Sequence, residues 1–178
     1  VRDAALCNLA RLAPYLAEGY QVVTTEPTAA YCFQVLWPKL LPLHPHVKQL
    51  AAQSHEFFAY LLENEAAGVP QDLHGKRFGF HCSCHQRPLG VGSEAMRWLQ
   101  RRGAEVQLIE SGTCCGMAGT FGMKKGALGY ELSQAVGEPL FQLFKDSGVD
   151  AIVTESSVCG IQLREGTGLA VYHPLELV

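Results

Sequence analysis

The sequence predicts an α/β fold in which a mostly parallel sheet is flanked by helices. Segments with helical spacing of apolar residues alternate with short β-rich segments along the 178 residues, which is typical of strand–helix–strand units. Glycine follows several predicted helices, as at Gly19, Gly103 and Gly148, where it commonly ends a helix. Cysteines come directly after three of the predicted strands. Because ligands of parallel sheets bind outside the carboxyl ends of the strands, this pattern predicts a site at that edge.

In the first part of the chain, the pattern predicts two long helices and one strand. Leucine and alanine at helical spacing predict a helix over 2–18. A short β-rich segment predicts a strand over 20–25, and Cys32 follows in an apolar segment. A second long helix is predicted over 47–62, with Gly-Val-Pro at 68–70 as its end.

The second part of the chain alternates strands and helices more regularly. Its predicted strands cover 77–82, 106–109, 149–154 and 169–172. One helix is predicted over 93–99 and another over 127–147. We expect the latter to be interrupted at 137–139, where Pro139 suits the first position of a new helix. Cys159 is expected in a loop after the third of these strands.

Composition places the chain among globular proteins and excludes several classes. Apolar residues make up 48% and charged residues 17% of the sequence, as in a folded domain and unlike a disordered chain. The formal net charge of −3 gives no basic surface for nucleic acid. The sequence has neither a signal-peptide pattern nor an apolar run of about 18 residues, so we expect no membrane span. Seven cysteines, an odd number, favour metal-binding thiols in a reducing compartment such as the cytoplasm over a secreted disulfide scaffold.

The cysteine-rich stretches carry the strongest functional signal. The sequence reads His-Cys-Ser-Cys-His at 81–85 and Cys-Cys-Gly at 114–116, and Cys159 follows the last long strand. Adjacent cysteines pair poorly with each other because the ring is strained, but both can face one soft metal centre. Three strand ends would thus bring thiols to one edge of the sheet. The candidate ligands are Cys84, Cys114, Cys115 and Cys159, with Cys82 and His81 as additional candidates.

The residue types leave three chemistries open at this edge. Four thiolates suit an iron–sulfur cluster, which transfers electrons, and equally a closed, redox-silent zinc site. The third option is thiol–disulfide chemistry at Cys114 and Cys115. The neighbouring His81 and His85 are interpreted either as ligands or proton carriers, or as hydrogen-bonded structural histidines. Glu155 is expected to cap the segment that follows its strand rather than to act as a base.

An internal repeat is visible in the order of elements. A helix, a glycine, a strand, Thr-Glu and then a cysteine occur over 9–32 and again over 140–159. The repeat predicts that 1–70 is the C-terminal part of a first repeat plus a linker helix, and that 71–178 is a complete repeat. On this interpretation, the chain begins inside the first repeat of a longer polypeptide.

Several short motifs of the second part occur together in one known family. They are the 81–85 motif, Cys-Cys-Gly-Met-Ala-Gly-Thr-Phe-Gly-Met-Lys-Lys at 114–125, Glu-Leu-Ser at 131–133, Gly-Glu-Pro-Leu-Phe at 137–141 and His-Pro-Leu-Glu-Leu at 173–177. In this order they resemble the cysteine-rich CCG domain. That domain occurs in the B subunit of heterodisulfide reductase, in the iron–sulfur subunit of glycolate oxidase and in the C subunit of anaerobic glycerol-3-phosphate dehydrogenase. The sequence resembles the last of these most.

The resemblance implies a Rossmann-like domain with a pseudo-repeat and a role in electron transfer. In this family, two such repeats lie behind ferredoxin-like clusters and pass electrons from a flavin subunit towards a quinone or another acceptor. By resemblance, the four candidate cysteines occupy ligand positions of a 4Fe-4S type cluster, and catalysis on the organic substrate takes place in another subunit or domain. The same resemblance implies a cytoplasmic protein that can associate peripherally with the cytoplasmic face of the membrane.

One position departs from the family pattern. The last loop of the family carries Cys-x-x-Cys, but here the first of these positions is Ser156. Four cysteines still permit a four-thiolate cubane site, whereas the five-cysteine set of the noncubane clusters is incomplete. In a segment of a longer protein, an oxygen-sensitive cluster is also expected to be lost easily. The alternative function is a structural or interaction domain with a four-cysteine zinc site or with no metal.

Overall fold

The computed structural model describes residues 1–64 and 72–177. The chain divides into two compact units, Val1–Asn64 and Glu65–Val178. The predicted α/β class is confirmed, because both units combine helices with parallel strands. The predicted helix end at 68–70 lies outside the described residues, and the division of the repeats after residue 70 stays a prediction.

The first unit combines helices with a two-stranded parallel sheet. In chain order, its elements are α1 (Arg2–Ala17), β1 (Val22–Thr24), α2 (Pro27–Tyr31), a π-helical turn (Cys32–Leu36), α3 (Trp37–Leu40), α4 (Pro45–Gln53), β2 (Ser54–Glu56) and α5 (Phe57–Glu63). The first predicted helix and the first predicted strand are therefore confirmed, although the strand is shorter than expected.

The apolar faces of α1 and α4 form the core of the first unit. Leu9 and Leu16 of α1 and Val47 and Leu50 of α4 are almost completely buried and belong to one cluster. Their spacing is the amphipathic pattern that predicts helices in this part of the sequence. The side chain of Gln49 donates a hydrogen bond to the backbone oxygen of Leu16 at 2.8 Å, which satisfies a carbonyl at the end of α1.

The single long helix predicted over 47–62 is wrong. The strand β2 divides it, because Ser54–Glu56 pairs in parallel with β1. The buried carboxylate of Glu56 then begins α5 by accepting hydrogen bonds from the backbone N–H groups of Phe58 and Ala59 at 3.0 and 3.1 Å. The apolar spacing continues across this break, so the sequence pattern does not reveal it.

The second unit contains a four-stranded sheet with the strand order β4-β3-β5-β6, and all pairs are parallel. The four strands predicted in this part are thus confirmed, although each is short. In chain order, the elements are β3 (Arg77–Phe80), a 3-10 turn (Arg87–Leu89), α6 (Glu94–Gln100), β4 (Glu105–Leu108), a 3-10 turn (Phe121–Met123), a π-helical turn (Ala127–Glu131), α7 (Leu132–Asp146), β5 (Ala151–Val153), α8 (Ser157–Thr167), β6 (Val171–Tyr172) and a 3-10 turn (Pro174–Leu177).

Close packing of α7 on the central strand explains why Gly79 lies in β3. A Cβ atom at Gly79 would lie 2.7 Å from the ring of Phe144 and 2.9 Å from Ile109. Its neighbours Phe78 and Phe80 are buried and, because side chains alternate along a strand, they face the opposite side of the sheet. Apolar side chains therefore cover both faces of β3.

The interruption predicted at 137–139 is also wrong, because α7 runs without a break from Leu132 to Asp146. Glycine at position 137 does not break the helix but allows it to lie against the cysteine loop, because a Cβ atom there would lie 2.5 Å from the backbone oxygen of Cys115. The irregular backbone lies earlier, at Leu128 in the π-helical turn. Glycine in this helix thus allows α7 to approach the cysteine loop.

The segment after β5 is a helix rather than the predicted loop. α8 begins at Ser157, with Ser156 at its N-cap position, and carries Cys159 in its first turn. The order α7–β5–α8–β6, with β5 and β6 as parallel neighbours, matches the order of helix, strand, helical segment and parallel strand in the first unit. This shared topology agrees with the internal repeat in the sequence.

Candidate metal centre

The carboxyl ends of three neighbouring strands bring the cysteine-bearing segments together. β3 lies between β4 and β5, and Phe80 is the register partner of both Leu108 and Val153. The chain therefore leaves the three strands at the same level. It continues into the 81–84 segment, the 114–116 loop and the start of α8, as parallel-sheet geometry predicts.

Hydrogen bonds extend the sheet up to the site. The backbone N–H of His81 donates to the backbone oxygen of Val153 at 2.9 Å. The Thr154 hydroxyl donates to the backbone oxygen of His81 at 3.1 Å. These two bonds hold His81 and the segment that leads to Cys159 beside each other.

His81, Cys115 and Cys159 form the buried part of the site. One ligand atom from each residue lies within 4.8 Å of the other two. The Cys115 thiol donates a hydrogen bond to the Cys159 sulfur, with 3.3 Å between the two sulfurs. The three residues are only 4%, 2% and 6% exposed. Imidazole nitrogen and thiolate sulfur are both good ligands of zinc and iron, so this arrangement is chemically suited to a metal.

Cys84 and Cys114 extend this group towards the surface. Cys84 is exposed and Cys114 is half-buried. Burial and the neighbouring Cys114 raise the pKa of Cys84, and Cys115 together with burial raises the pKa of Cys114, so these thiols interact with their neighbours. Cys84, Cys114, Cys115 and Cys159 are called the sulfur row below, with Cys84 at its exposed end and Cys115 and Cys159 at its buried end.

Cys82 takes part in a different contact. Its sulfur lies 4.0 Å from the backbone oxygen of Val91, and a Cβ atom added to Gly92 would lie 2.6 Å from it. It lines a small cavity together with Met96 and Leu108. The structure therefore brings His81 together with Cys115 and Cys159, and it places the Cys82 sulfur against the Val91 turn.

Burial and mutual hydrogen bonds keep most of the thiols protonated. The hydrogen bond with Cys115, followed by burial, raises the pKa of Cys114 far above its usual value. The pKa of Cys115 rises to about 12, because the bond to Cys159 and burial outweigh the lowering effect of Cys114. The bond from Cys115 lowers the pKa of Cys159. Since metals bind thiolates, a bound metal would have to displace the protons of the other cysteines.

The imidazole of His81 is neutral at physiological pH. Burial is the main cause that lowers its pKa to about 4, and the positive charge of Arg87 adds to this effect. A neutral imidazole can bind a metal or donate a hydrogen bond to a neighbouring sulfur. The buried, neutral imidazole therefore fits both roles that the sequence suggests for His81.

The glycine after the cysteine pair turns the backbone towards the sulfurs. Gly116 has a φ angle of +92°, which favours glycine. The backbone N–H groups of Gly116 and Met117 favour the thiolates of Cys114 and Cys115, respectively, and so partly offset the raised pKa of each thiol. Successive N–H groups of this kind stabilise negative charge. The turn therefore suits thiolates and the anionic centres that they hold.

Two polar side chains on α7 and α8 hold this turn in place. The Ser133 hydroxyl donates to the backbone oxygen of Gly116 at 2.9 Å. The side-chain amide of Gln162 donates to the Ser133 hydroxyl at 2.9 Å and to its backbone oxygen at 3.2 Å. Both side chains are buried, and sequence patterns give no sign of this long-range network.

A buried pair, Gln86 and Glu155, links the first and third cysteine segments. Both residues are fully buried, and the Gln86 amide donates to the Glu155 carboxylate at 2.5 Å. The Gln86 side-chain oxygen also accepts from the backbone N–H of Ser83 at 2.8 Å, next to Cys84. The pair therefore ties the Cys84 segment to the start of α8, and it too has no local sequence signal.

Comparison with known proteins identifies the family. The family described as the cysteine-rich domain CCG matches residues 78–164, which include the whole sulfur row. Lactate utilization protein A of Lysinibacillus sphaericus is 30% identical over 172 residues, which cover 88% of this chain and 72% of that protein. This chain belongs to the cysteine-rich CCG-domain family. The resemblance found in the sequence motifs is thereby confirmed.

Two further relatives are named as dehydrogenases or their subunits. The C subunit of anaerobic glycerol-3-phosphate dehydrogenase from Escherichia coli K12 is 29% identical over 167 residues, which cover 90% of this chain and 40% of that protein. D-2-hydroxyglutarate dehydrogenase of Pseudomonas putida is 26% identical over 178 residues, which cover 98% of this chain and 16% of that protein. The chain thus spans less than half the length of either relative. Within residues 1–64 and 72–177, every helix is too short or too polar to cross a lipid bilayer.

Proposed function

We propose that this CCG-domain chain is the electron-transfer segment of a flavin-linked oxidoreductase, and that its sulfur row holds an iron–sulfur cluster of the 4Fe-4S type. Two relatives are named as dehydrogenases or their subunits, and we propose that the electrons come from such a dehydrogenase subunit or domain and that it contains a flavin. They would leave towards a quinone or another acceptor at the cytoplasmic face of a membrane. Oxidation of the organic substrate would take place in the flavin-containing part.

The observation that carries this proposal is the convergence of four cysteines from three strand ends. Iron–sulfur clusters are held by cysteine thiolates, most often four of them. Cys84, Cys114, Cys115 and Cys159 supply such a set, and the sulfurs of Cys115 and Cys159 are already 3.3 Å apart. When bound, the cluster would accept and release single electrons.

The surroundings of the sulfurs also suit this role. The backbone N–H groups of Gly116 and Met117 favour the thiolate forms of Cys114 and Cys115, and hydrogen bonds to sulfur tune iron–sulfur centres. The buried end of the row, at Cys115 and Cys159, excludes water. The exposed end, at Cys84, is the place where a redox partner can approach the centre.

A structural zinc site is the second candidate, and one observation favours it. The ligand atoms of His81, Cys115 and Cys159 lie within 4.8 Å of one another, which suits a single ion. A fourth ligand from Cys114 or Cys84 would complete a closed tetrahedral site. Such a site would stabilise the domain without transferring electrons.

The metal content of anaerobically purified protein tests both candidates. We would measure iron, acid-labile sulfide and zinc in the wild type, in the Cys114→Ser/Cys115→Ser double variant, and in Cys82→Ser. The last variant is a matched control, because Cys82 is also buried but contacts the Val91 turn. Visible absorption and electron paramagnetic resonance after reduction would report the redox state.

The outcomes separate the candidates. Iron and sulfide that disappear in the double variant but persist in Cys82→Ser would support the electron-transfer segment. Stoichiometric zinc with the same dependence would support the structural site. Iron and sulfide that are equal in all three proteins would refute the assignment of these cysteines as ligands.

A further inference from the structure

We propose that Cys115 and Cys159 form a reversible disulfide when no metal is bound, so that the sulfur row is also a site of two-electron thiol oxidation. This pair differs from the adjacent cysteines that the sequence indicated for thiol chemistry. The inference does not depend on which metal the site binds.

The geometry of the two sulfurs supports this pairing. They are 3.3 Å apart and joined by a hydrogen bond, so they need to approach by only about 1.3 Å to reach the length of a disulfide. Both residues belong to one apolar cluster beside α7. The close contact is therefore held by the core and does not depend on a mobile surface loop.

The other sulfur pairs are less suitable. Cys114 and Cys115 are adjacent in sequence, and a disulfide between neighbours closes a strained ring. Cys82 contacts backbone oxygens rather than another sulfur. Cys84 is exposed, so a pairing of Cys84 with Cys114 would lie at the end of the row that core packing does not confine.

The chemistry balances with a small two-electron oxidant such as diamide, an uncharged azo compound. The Cys159 sulfur adds to the nitrogen–nitrogen double bond, and the Cys115 sulfur then attacks the Cys159 sulfur. The S–S bond forms, the S–N bond breaks, and the two thiol protons and two electrons leave on the hydrazine product. A dithiol reductant reverses the step.

This disulfide would remove two of the four proposed ligands from metal binding. A disulfide sulfur is not a thiolate, and the thiolate is the species that binds zinc or iron. The oxidised chain is therefore expected to bind zinc(II) more weakly, and reduction should restore binding. The disulfide would thus hold the two cysteines of the metal-free site in an oxidised form, and a thiol reductant would return them to the form that binds metal.

Peptide mapping of the whole chain tests the proposal. The metal-free protein, prepared with a chelator, is treated with diamide, alkylated under denaturing conditions without reductant, digested and analysed by mass spectrometry. We expect a peptide pair that joins Cys115 to Cys159 and a mass loss of two hydrogen atoms per chain. The product should form in Cys82→Ser and be lost in both Cys115→Ser and Cys159→Ser, with circular dichroism to show that each variant is folded.

Zinc titration provides the second readout. We expect at least a tenfold loss of zinc(II) binding after diamide treatment, and full recovery after reduction. A crosslink that maps to Cys84–Cys114 or Cys114–Cys115 would overturn the proposal. Complete alkylation of all cysteines after diamide treatment, or zinc binding that diamide leaves unchanged, would overturn it as well.

Discussion

Replacement of Gly116 by alanine is a sharp test of how the cysteine turn is held. The added Cβ would lie 2.0 Å from the backbone oxygen of Ser133 and 3.2 Å from the amide nitrogen of Gln162. The first distance is far below van der Waals contact, and the obstacle is backbone, so the turn and α7 must move apart. The φ angle of +92° adds conformational strain for any residue with a side chain.

The expected loss of stability follows from two contributions. Adopting this positive φ angle costs an L-residue about 1–2 kcal/mol, and overpacking of a buried site costs about 1–3 kcal/mol. Together they predict that Gly116→Ala lowers the free energy of unfolding by about 3 kcal/mol. For a protein of this size, that corresponds to a Tm lower by roughly 6–12 °C.

Gly119→Ala is the matched control for this experiment. Gly119 lies three positions further along the same loop and has a φ angle of +67°, but an added Cβ would meet no atom within 4 Å. Its replacement should therefore lower the free energy of unfolding only through backbone strain, by about 1–2 kcal/mol. Thermal unfolding by circular dichroism would compare the two variants. Equal melting temperatures would refute the reasoning, because they would mean that the contact with Ser133 does not constrain the turn.

Three further predictions concern the surroundings of the site. Gln86→Ala removes a buried hydrogen-bond donor to Glu155 and should lower the free energy of unfolding, measured by chemical denaturation, by about 1–3 kcal/mol. An unchanged denaturation midpoint would contradict the proposed link between the Cys84 segment and the start of α8. Phe144→Ala, at a fully buried ring, should cost about 3–5 kcal/mol, whereas Leu143→Ala, at a side chain that is 44% exposed, should change stability by less than about 0.5 kcal/mol. Burial lowers the pKa of His81 from 6.5 to about 4, so the folded protein binds this proton less readily than the unfolded chain does. Acidification from pH 6.5 to pH 4 should therefore lower the free energy of unfolding of the metal-free protein by about 3 kcal/mol. His81→Gln should make the free energy of unfolding depend less on pH in this range. A pH profile identical to that of the wild type would refute the assignment of this pH dependence to His81.

The sequence was sufficient for the features that depend on local pattern. The strands of the second unit are short β-rich runs, and cysteines follow three of the four. Parallel topology then places Cys84, Cys114 and Cys159 at one edge, which is where the structure has them. Family motifs added the identity of the domain, because their order is far more specific than any single cysteine pair.

Features that depend on tertiary contacts could not be predicted in this way. β2 consists of polar residues that form a strand only because β1 pairs with them. Gly137 is typical of a helix break, yet it lies within α7 because the cysteine loop needs the space. The pairing of Gln86 with Glu155 joins residues 69 positions apart. In each case, the deciding partner is distant in sequence and therefore invisible to local patterns.

The two close contacts of α7 have a mechanical consequence for the cysteine loop. Gly137 abuts Cys115, and Phe144 fills the space above Gly79 in the central strand; the two contacts are about 10 Å apart along the helix. α7 therefore fixes the distance between the cysteine loop and the sheet. If the loop moved towards α7, the helix would have to move as well, and the Phe144 ring would then clash with β3. If the loop holds a cluster as proposed, the nuclear positions of that cluster would change little when its charge changes. We therefore expect a small reorganisation energy for the proposed electron transfer, because the position of the loop is set during folding.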